Sequence, residues 1–179
     1  MTTVAFIGLG NMGSGMADNL VKNDYNVLAF DLSEAALAKA KDAGCTIAQS
    51  TEQAAAEADI VITMLPAGKH VKDIYSNQIL ASVREGTLLI DCSTIDVETA
   101  KSVSELAEKK GLKMLDAPVS GGVAAAAGGT LTFMVGGDAD AFDKAHGVLS
   151  AMGKKIVHAG GHGAGQAAKI CNNMLLGAT

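Results

Sequence analysis

Gly8-Leu9-Gly10-Asn11-Met12-Gly13 joins two stretches of different hydrophobic period. Before it, Thr3 to Ile7 is a short apolar run with the β-branched Val4 and Ile7, the pattern of a buried strand. After it, Met12, Met16, Leu20 and Val21 recur at helical spacing. The glycines therefore fall on a strand-to-helix turn, the setting in which G-x-G-x-x-G signals a bound dinucleotide. Gly8 permits the tight turn, and Gly10 lets a pyrophosphate approach the backbone with no Cβ in its way. Gly13 lets the helix lie close to the strand. The free N–H groups and positive dipole end of that helix face the phosphates. Gly8, Leu9, Gly10, Asn11, Met12 and Gly13 are thus candidate cofactor contacts.

A second apolar strand, Asn26 to Phe30, ends in Asp31, eighteen residues beyond Gly13. A carboxylate at this distance accepts hydrogen bonds from the adenosine ribose hydroxyls. It would repel a 2′-phosphate, and no Arg lies between Leu32 and Lys41 to attract one. The expected cofactor is NAD rather than NADP.

The alternation continues. Ser33 is a candidate N-cap for a helix through about Asp42, and Cys45 to Ala48 reads as a short strand. An Ala-rich helix follows from Thr51 to about Ala58, then a strong buried strand from Asp59 to Leu65, stopped by Pro66. His70 to Tyr75 reads as a short helix and Thr87 to Ile90 as a strand. Asp96 to Lys110 is an amphipathic helix with Gly111 where a C′ glycine belongs. Strands at Lys113–Leu115, Thr130–Val135 and Lys155–Val157, the last two around a helix at Ala139–Met152, complete the pattern. Near-continuous apolar strands alternating with helices predict an α/β fold, a Rossmann-like doubly wound, mostly parallel sheet. Residues 1–162 read as one dinucleotide-binding domain; after a glycine-rich segment, 163–179 reads as the start of a further helix.

Half of the 179 residues are hydrophobic but only 3% are aromatic, so Ala, Val, Ile, Leu and Met must fill the interior. A net charge of −5 and the lack of a dense basic run argue against a nucleic-acid partner. No apolar stretch approaches a membrane span. Cys45, Cys92 and Cys171 are odd in number and share no C-x-x-C spacing, so neither a disulfide framework nor a zinc site is indicated, and core positions are expected. His158 and His162 are separated by two glycines and read as loop residues, not a metal pair. A reducing compartment follows: the cytosol, or a mitochondrial matrix if a transit peptide has been removed.

In open parallel sheets, ligands bind beyond the C-terminal strand ends. Leu65-Pro66, Ser93-Thr94 and Asp116-Ala117-Pro118-Val119-Ser120-Gly121-Gly122 occupy such positions. In the last, Ser120 offers a hydroxyl and Gly121-Gly122 allow backbone N–H groups to converge on an anion such as a carboxylate; a tight turn chosen for geometry is the competing reading. Further on, Gln166, Lys169 and Asn173 share one helical face bordered by Asn172. A lysine there is either partly desolvated, with a lowered pKa suited to general acid/base work, or simply a solvated residue of an amphipathic helix.

These motifs together resemble the β-hydroxyacid dehydrogenase family. The matching stretches are Phe6 to Gly13, Met64-Leu65-Pro66, Ser93-Thr94-Ile95-Asp96, Asp116 to Gly122, Gly129 to Thr132 and Gly165 to Asn173, spread over essentially the whole chain. The resemblance implies that Lys169 exchanges the proton of a substrate hydroxyl while the hydride passes to NAD. It assigns the substrate carboxylate to Ser120, Gly121 and Gly122, substrate orientation to Asn173, and cofactor contacts to Leu65, Pro66 and Thr94. The implied substrate is a small β-hydroxy acid, 3-hydroxyisobutyrate of valine catabolism first, with tartronate or succinic semialdehyde reduction as near alternatives. Family members continue through a long interdomain helix into an all-helical domain that mediates dimerisation, so 163–179 is expected to begin that helix, and the chain to be a truncation. A non-catalytic NAD-binding module is the competing reading, and a homo-oligomer stays open.

Overall fold

A computed structural model describes residues 1–177; Ala178 and Thr179, the end of the expected terminal helix, lie outside the described residues. Among the described residues nine strands form one sheet: β1 (Thr3–Ile7), β2 (Asn26–Phe30), β3 (Thr46–Ile47), β4 (Ile60–Thr63), β5 (Leu88–Asp91), β6 (Lys113–Asp116), β7 (Val119–Ser120), β8 (Leu131–Gly136) and β9 (Gly153–Gly160). The order is β3-β2-β1-β4-β5-β6-β8-β7, with β9 paired to β8. The first six strands are parallel, β8 runs antiparallel to β6 and β7, and β9 is parallel to β8. The chain winds outward from β1 to β3, then returns to start β4 on the other side of β1. A crevice opens at that reversal.

Helices cover both faces, which is why the strands are apolar throughout rather than alternating. Val4, Phe6, Ile60, Ile62, Leu88 and Ile90 pack on one face with Met16, Ala17 and Leu20 of α1 (Gly13–Lys22). Their strand neighbours Ala5, Ile7, Val61 and Leu89 pack on the other with α3 (Thr51–Glu57), which follows α2 (Glu34–Asp42). Ser33, Ser50 and Asp96 cap their helices with side-chain oxygens, the last capping α6 (Val97–Glu108).

Several elements exceed the expectation, among them the short strand β7 within the stretch read as a turn. The helix expected at His70–Tyr75 runs as α4 (Gly68–Ile74), a π-helical turn (Tyr75–Ile79) and α5 (Leu80–Ser82). The strand expected at Lys155–Val157 spans Gly153–Gly160, since pairing with β8 continues past its apolar centre across two register shifts. A short helix, α7 (Gly122–Ala127), was not expected, because its alanine run has no hydrophobic period. It is fixed by α1: a Cβ at Gly15 would overlap the Ala126–Ala127 backbone, and the Asn19 amide donates to the carbonyls of Ala126 (2.7 Å), Ala127 (3.2 Å) and Gly15 (2.8 Å). Asn19 thus satisfies the Ala127 carbonyl at the end of α7 and supplements the long bond (3.5 Å) that the Gly129 N–H makes to the Ala126 carbonyl. The remaining helices are α8 (Ala139–Met152) and α9 (Ala164–Gly177).

Asn19→Ala leaves the buried Ala126 carbonyl with only the long Gly129 N–H bond and is expected to cost about 1–3 kcal/mol, read from the midpoint of urea unfolding at unchanged m-value.

Candidate functional site

The crevice beside β1 is a cleft of about 560 Å³. Its walls come from the turn after β1 (Gly8, Gly10, Asn11, Met12, Gly13), from Asp31 and Leu32 after β2, and from Met64, Leu65 and Pro66 after β4. His70, Asp73, Ile74 and Gln78 of α4 and the π-helical turn close it, residues that the sequence pattern did not single out. Gly8 has φ +97°, and a Cβ there would overlap the Met64 carbonyl oxygen. A Cβ at Gly13 would overlap the Gly8 carbonyl oxygen, so the start of α1 lies hard against the turn. A Cβ at Gly10 would meet nothing, so that side of the backbone is open. The N–H groups of Asn11, Met12 and Gly13 find no acceptor among the described residues. Open backbone at the head of a ten-residue helix is what a pyrophosphate needs.

Asp31 accepts from the Leu9 N–H (2.6 Å) and the Ser33 N–H (2.8 Å), one bond to each oxygen, which leaves lone pairs for ribose hydroxyls. Leu9 itself is absent from the cleft wall: its side chain is in the core and its N–H is taken by Asp31. Thr94 is exposed and lies outside the wall; its neighbour Ser93 makes the structural contact. The Ser93 Oγ accepts from the Leu65 N–H (2.8 Å) and donates to Asp91 (2.6 Å).

Asp91 is the hub of a buried polar network. One oxygen accepts from Thr63 Oγ1 (2.7 Å), Ser93 Oγ and Ser93 N–H (3.2 Å), and Thr63 is also bonded to the hydroxyl of fully buried Tyr75 (3.2 Å). The other oxygen is buried with no hydrogen-bond partner. Burial pushes its pKa up to about 6 against these hydrogen bonds, with nearby Asp116 adding to the rise.

At the far edge, α9 brings the substrate-site candidates together. Asp116, at the end of β6, accepts from the Gly163 N–H (2.8 Å) and the Gln166 N–H (3.0 Å), capping α9 from another element. Gln166 is fully buried and Lys169, one turn on, is only 9% exposed. Desolvation lowers the Lys169 pKa from the ordinary ammonium value, and no side chain among the described residues pairs with its amine. The Asn172 amide donates to Ser120 Oγ (3.2 Å), tying α9 to the Ser120-Gly121-Gly122 turn. Asn173 is exposed beside it. Gly121 (φ +130°) and Gly122 (φ +71°) hold left-handed backbone in that turn, a conformation that favours glycine. Of the cysteines, Cys45 and Cys92 are buried, whereas Cys171 is exposed on α9, contrary to the core position expected for it, because it turns away from the sheet. Among the described residues no group of three or more His, Cys, Asp or Glu is placed to hold a metal ion, and no helix is long and apolar enough to cross a membrane.

A doubly wound sheet with an anion-ready glycine turn and an acidic residue after β2 defines a dinucleotide-binding domain. Residues 3–161 match the NAD binding domain of 6-phosphogluconate dehydrogenase, and the chain belongs to that family of NAD-binding domains. It is 55% identical to a 3-hydroxyisobutyrate dehydrogenase of Pseudomonas aeruginosa over 99% of this chain and 60% of the relative. It is 52% identical to an NAD-dependent L-serine dehydrogenase of the same organism, over 98% of this chain and 60% of the relative. The structure of a Mycobacterium tuberculosis 3-hydroxyisobutyrate dehydrogenase with L-serine superposes with a TM-score of 0.96 at 52% identity, covering 98% of this chain and 60% of that one. The chain thus spans about 60% of the length of these relatives.

Asp91 holds its proton more tightly folded than unfolded, so folding takes up a proton between about pH 4 and 6. Stability therefore falls as pH rises through that window and levels off above it. The displacement from 3.8 to about 6 corresponds to roughly 3 kcal/mol. Asp91→Asn keeps the accepting oxygen and removes the ionisation, so the fall contributed by Asp91 should vanish from unfolding free energies measured at pH 4 to 7. Asp116, also raised by burial, titrates in both proteins.

Proposed function

We propose that this chain is the cofactor-binding part of an NAD-dependent dehydrogenase of small β-hydroxy acids, with 3-hydroxyisobutyrate as substrate and Lys169 as general acid/base. The observation that carries the reading is Lys169 itself: a side chain mostly withdrawn from water, its amine partly desolvated and without a counter-ion among the described residues, on a helix bonded to the Ser120 turn. A desolvated amine is more readily neutral, and a neutral amine takes the hydroxyl proton as electron density builds on the oxygen. NAD, when bound, supplies the hydride acceptor. The cleft suits it: Gly8, Gly10, Asn11, Met12 and Gly13 would cradle the pyrophosphate, Asp31 the ribose, and Leu65 and Pro66 the wall beyond, with Thr94 beside Ser93 toward the chemical end. Ser120, Gly121 and Gly122 would hold the substrate carboxylate, and Asn173 would orient the substrate.

Similarity to an L-serine dehydrogenase favours a second substrate. L-Serine and 3-hydroxyisobutyrate both carry a hydroxymethyl group on the carbon bearing the carboxylate, and differ by an ammonium against a methyl. The Lys169 chemistry is the same for either. In this reading residues 1–162 form the cofactor domain and α9 begins an interdomain helix; the acidic chain with unpaired cysteines fits a reducing cytosol or mitochondrial matrix.

NAD reduction with each acid is the direct test. Lys169→Ala should lower turnover at least about 100-fold while calorimetric NAD affinity is unchanged. NAD binding with no turnover of either acid would favour a binding module. Gly10→Ala, whose methyl enters open space, should weaken NAD binding with an unchanged thermal midpoint, whereas equal affinity in the variant would remove the pyrophosphate from this turn.

A further inference from the structure

Gln166 sits one turn before Lys169, and its side chain reaches off its own helix at both ends of the amide. Nε2 donates to the Ser93 carbonyl (2.7 Å) and Oε1 accepts from the Ile95 N–H (3.1 Å), two groups that flank Thr94. Ser93 faces the other way with its hydroxyl, which accepts from the Leu65 N–H in the cleft wall and is held by Asp91. One short segment therefore touches the dinucleotide cleft through a side chain and the Lys169 helix through its backbone. Joining a carbonyl and an N–H simultaneously demands a group that both donates and accepts. A carboxylate only accepts, an ammonium only donates, and an aliphatic side chain would strand both buried backbone groups.

We propose that Gln166 is a positioning residue that clamps the Ser93–Ile95 segment to the first turn of α9, so that the seat of Lys169 and the wall of the dinucleotide cleft respond together when the cleft is filled. This rests on the reading of Lys169 as the acid/base. Its direct consequence, coupling between cleft and helix, is measurable without turnover.

The experiment is amide hydrogen exchange of α9 in this chain with and without saturating NAD, at pH 6 and pH 8, beside calorimetric NAD titrations. In the unaltered chain, NAD should slow exchange at the amides of residues 167–170 by at least about fivefold, the lower range of site-to-site coupling. Gln166→Leu should still bind NAD within about threefold, since Leu65 remains anchored through Ser93 and Asp91, but α9 should cease to respond. Gln166→Glu supplies a donor only when protonated, and burial raises its pKa. Its α9 should respond at pH 6 and not at pH 8. An α9 that responds equally in all three proteins, or in the Glu variant equally at both pH values, overturns the clamp. If Gln166→Leu does not fold, the two pH values of the Glu variant decide alone. Loss of turnover in Lys169→Ala is a separate result, so the clamp and the assignment of Lys169 can fail independently.

Discussion

The position of α9 depends on the carboxylate of Asp116. A helix begins with N–H groups that have no partner of their own, and here a side chain from the end of β6 meets two of them, at Gly163 and Gln166. The fit is close. A Cβ at Gly165 would overlap the carbonyl oxygens of Asp116 and Met134, and one at Gly136 would crowd the Asp116 side chain. Burying that carboxylate raises its pKa, and the N–H groups of the helix end oppose the rise. Because α9 starts at a fixed point on the sheet edge, the residues one and two turns along it arrive at fixed places. Gln166 reaches the Ser93 segment, Lys169 enters a mostly buried position, and Asn172 reaches Ser120.

The two ends of the site are built in different ways. The cleft end is largely backbone: a turn without side chains, free N–H groups at the head of α1, and one carboxylate after β2. The α9 end is made of side chains that reach across to other elements: Asp116 meets the N–H groups of α9, Gln166 meets the backbone of Ser93 and Ile95, and Asp91 holds the Ser93 hydroxyl, in a buried, mostly bonded set. A backbone cradle suits a ligand bound through its phosphates, whereas proton transfer needs one amine kept in a particular state.

This difference governs how much was legible in the sequence. The fold was, because strand and helix periods and the glycine turn are local signals, and a sheet covered on both faces leaves an unmistakable apolar run at Ile60–Thr63 or Leu88–Ile90. The cleft was largely legible for the same reason, although Leu9 points into the core and Thr94 lies outside the wall. The grouping of Gln166 and Lys169 followed from helical spacing, but the partners of Gln166 did not, since Ser93 and Ile95 lie 73 and 71 residues away. Asn172, which in the sequence only borders the polar face, touches Ser120, a contact that helical spacing alone does not reveal. The π-helical turn and α7 were invisible because neither has a period: Tyr75 is drawn inward by Thr63, and α7 is held by Asn19 from another helix.

The margins of the sheet have a different significance. β3 offers only two residues at one margin, and at the other β9, which pairs only with β8 among the described residues, carries exposed Lys154 and Lys155 and two register shifts. A short strand gives an incoming chain too few rungs, and adjacent positive charges on an irregular strand repel and misalign a second copy. Both margins of the sheet thereby disfavour growth by strand addition, the pairing through which stacked strands seed fibrils.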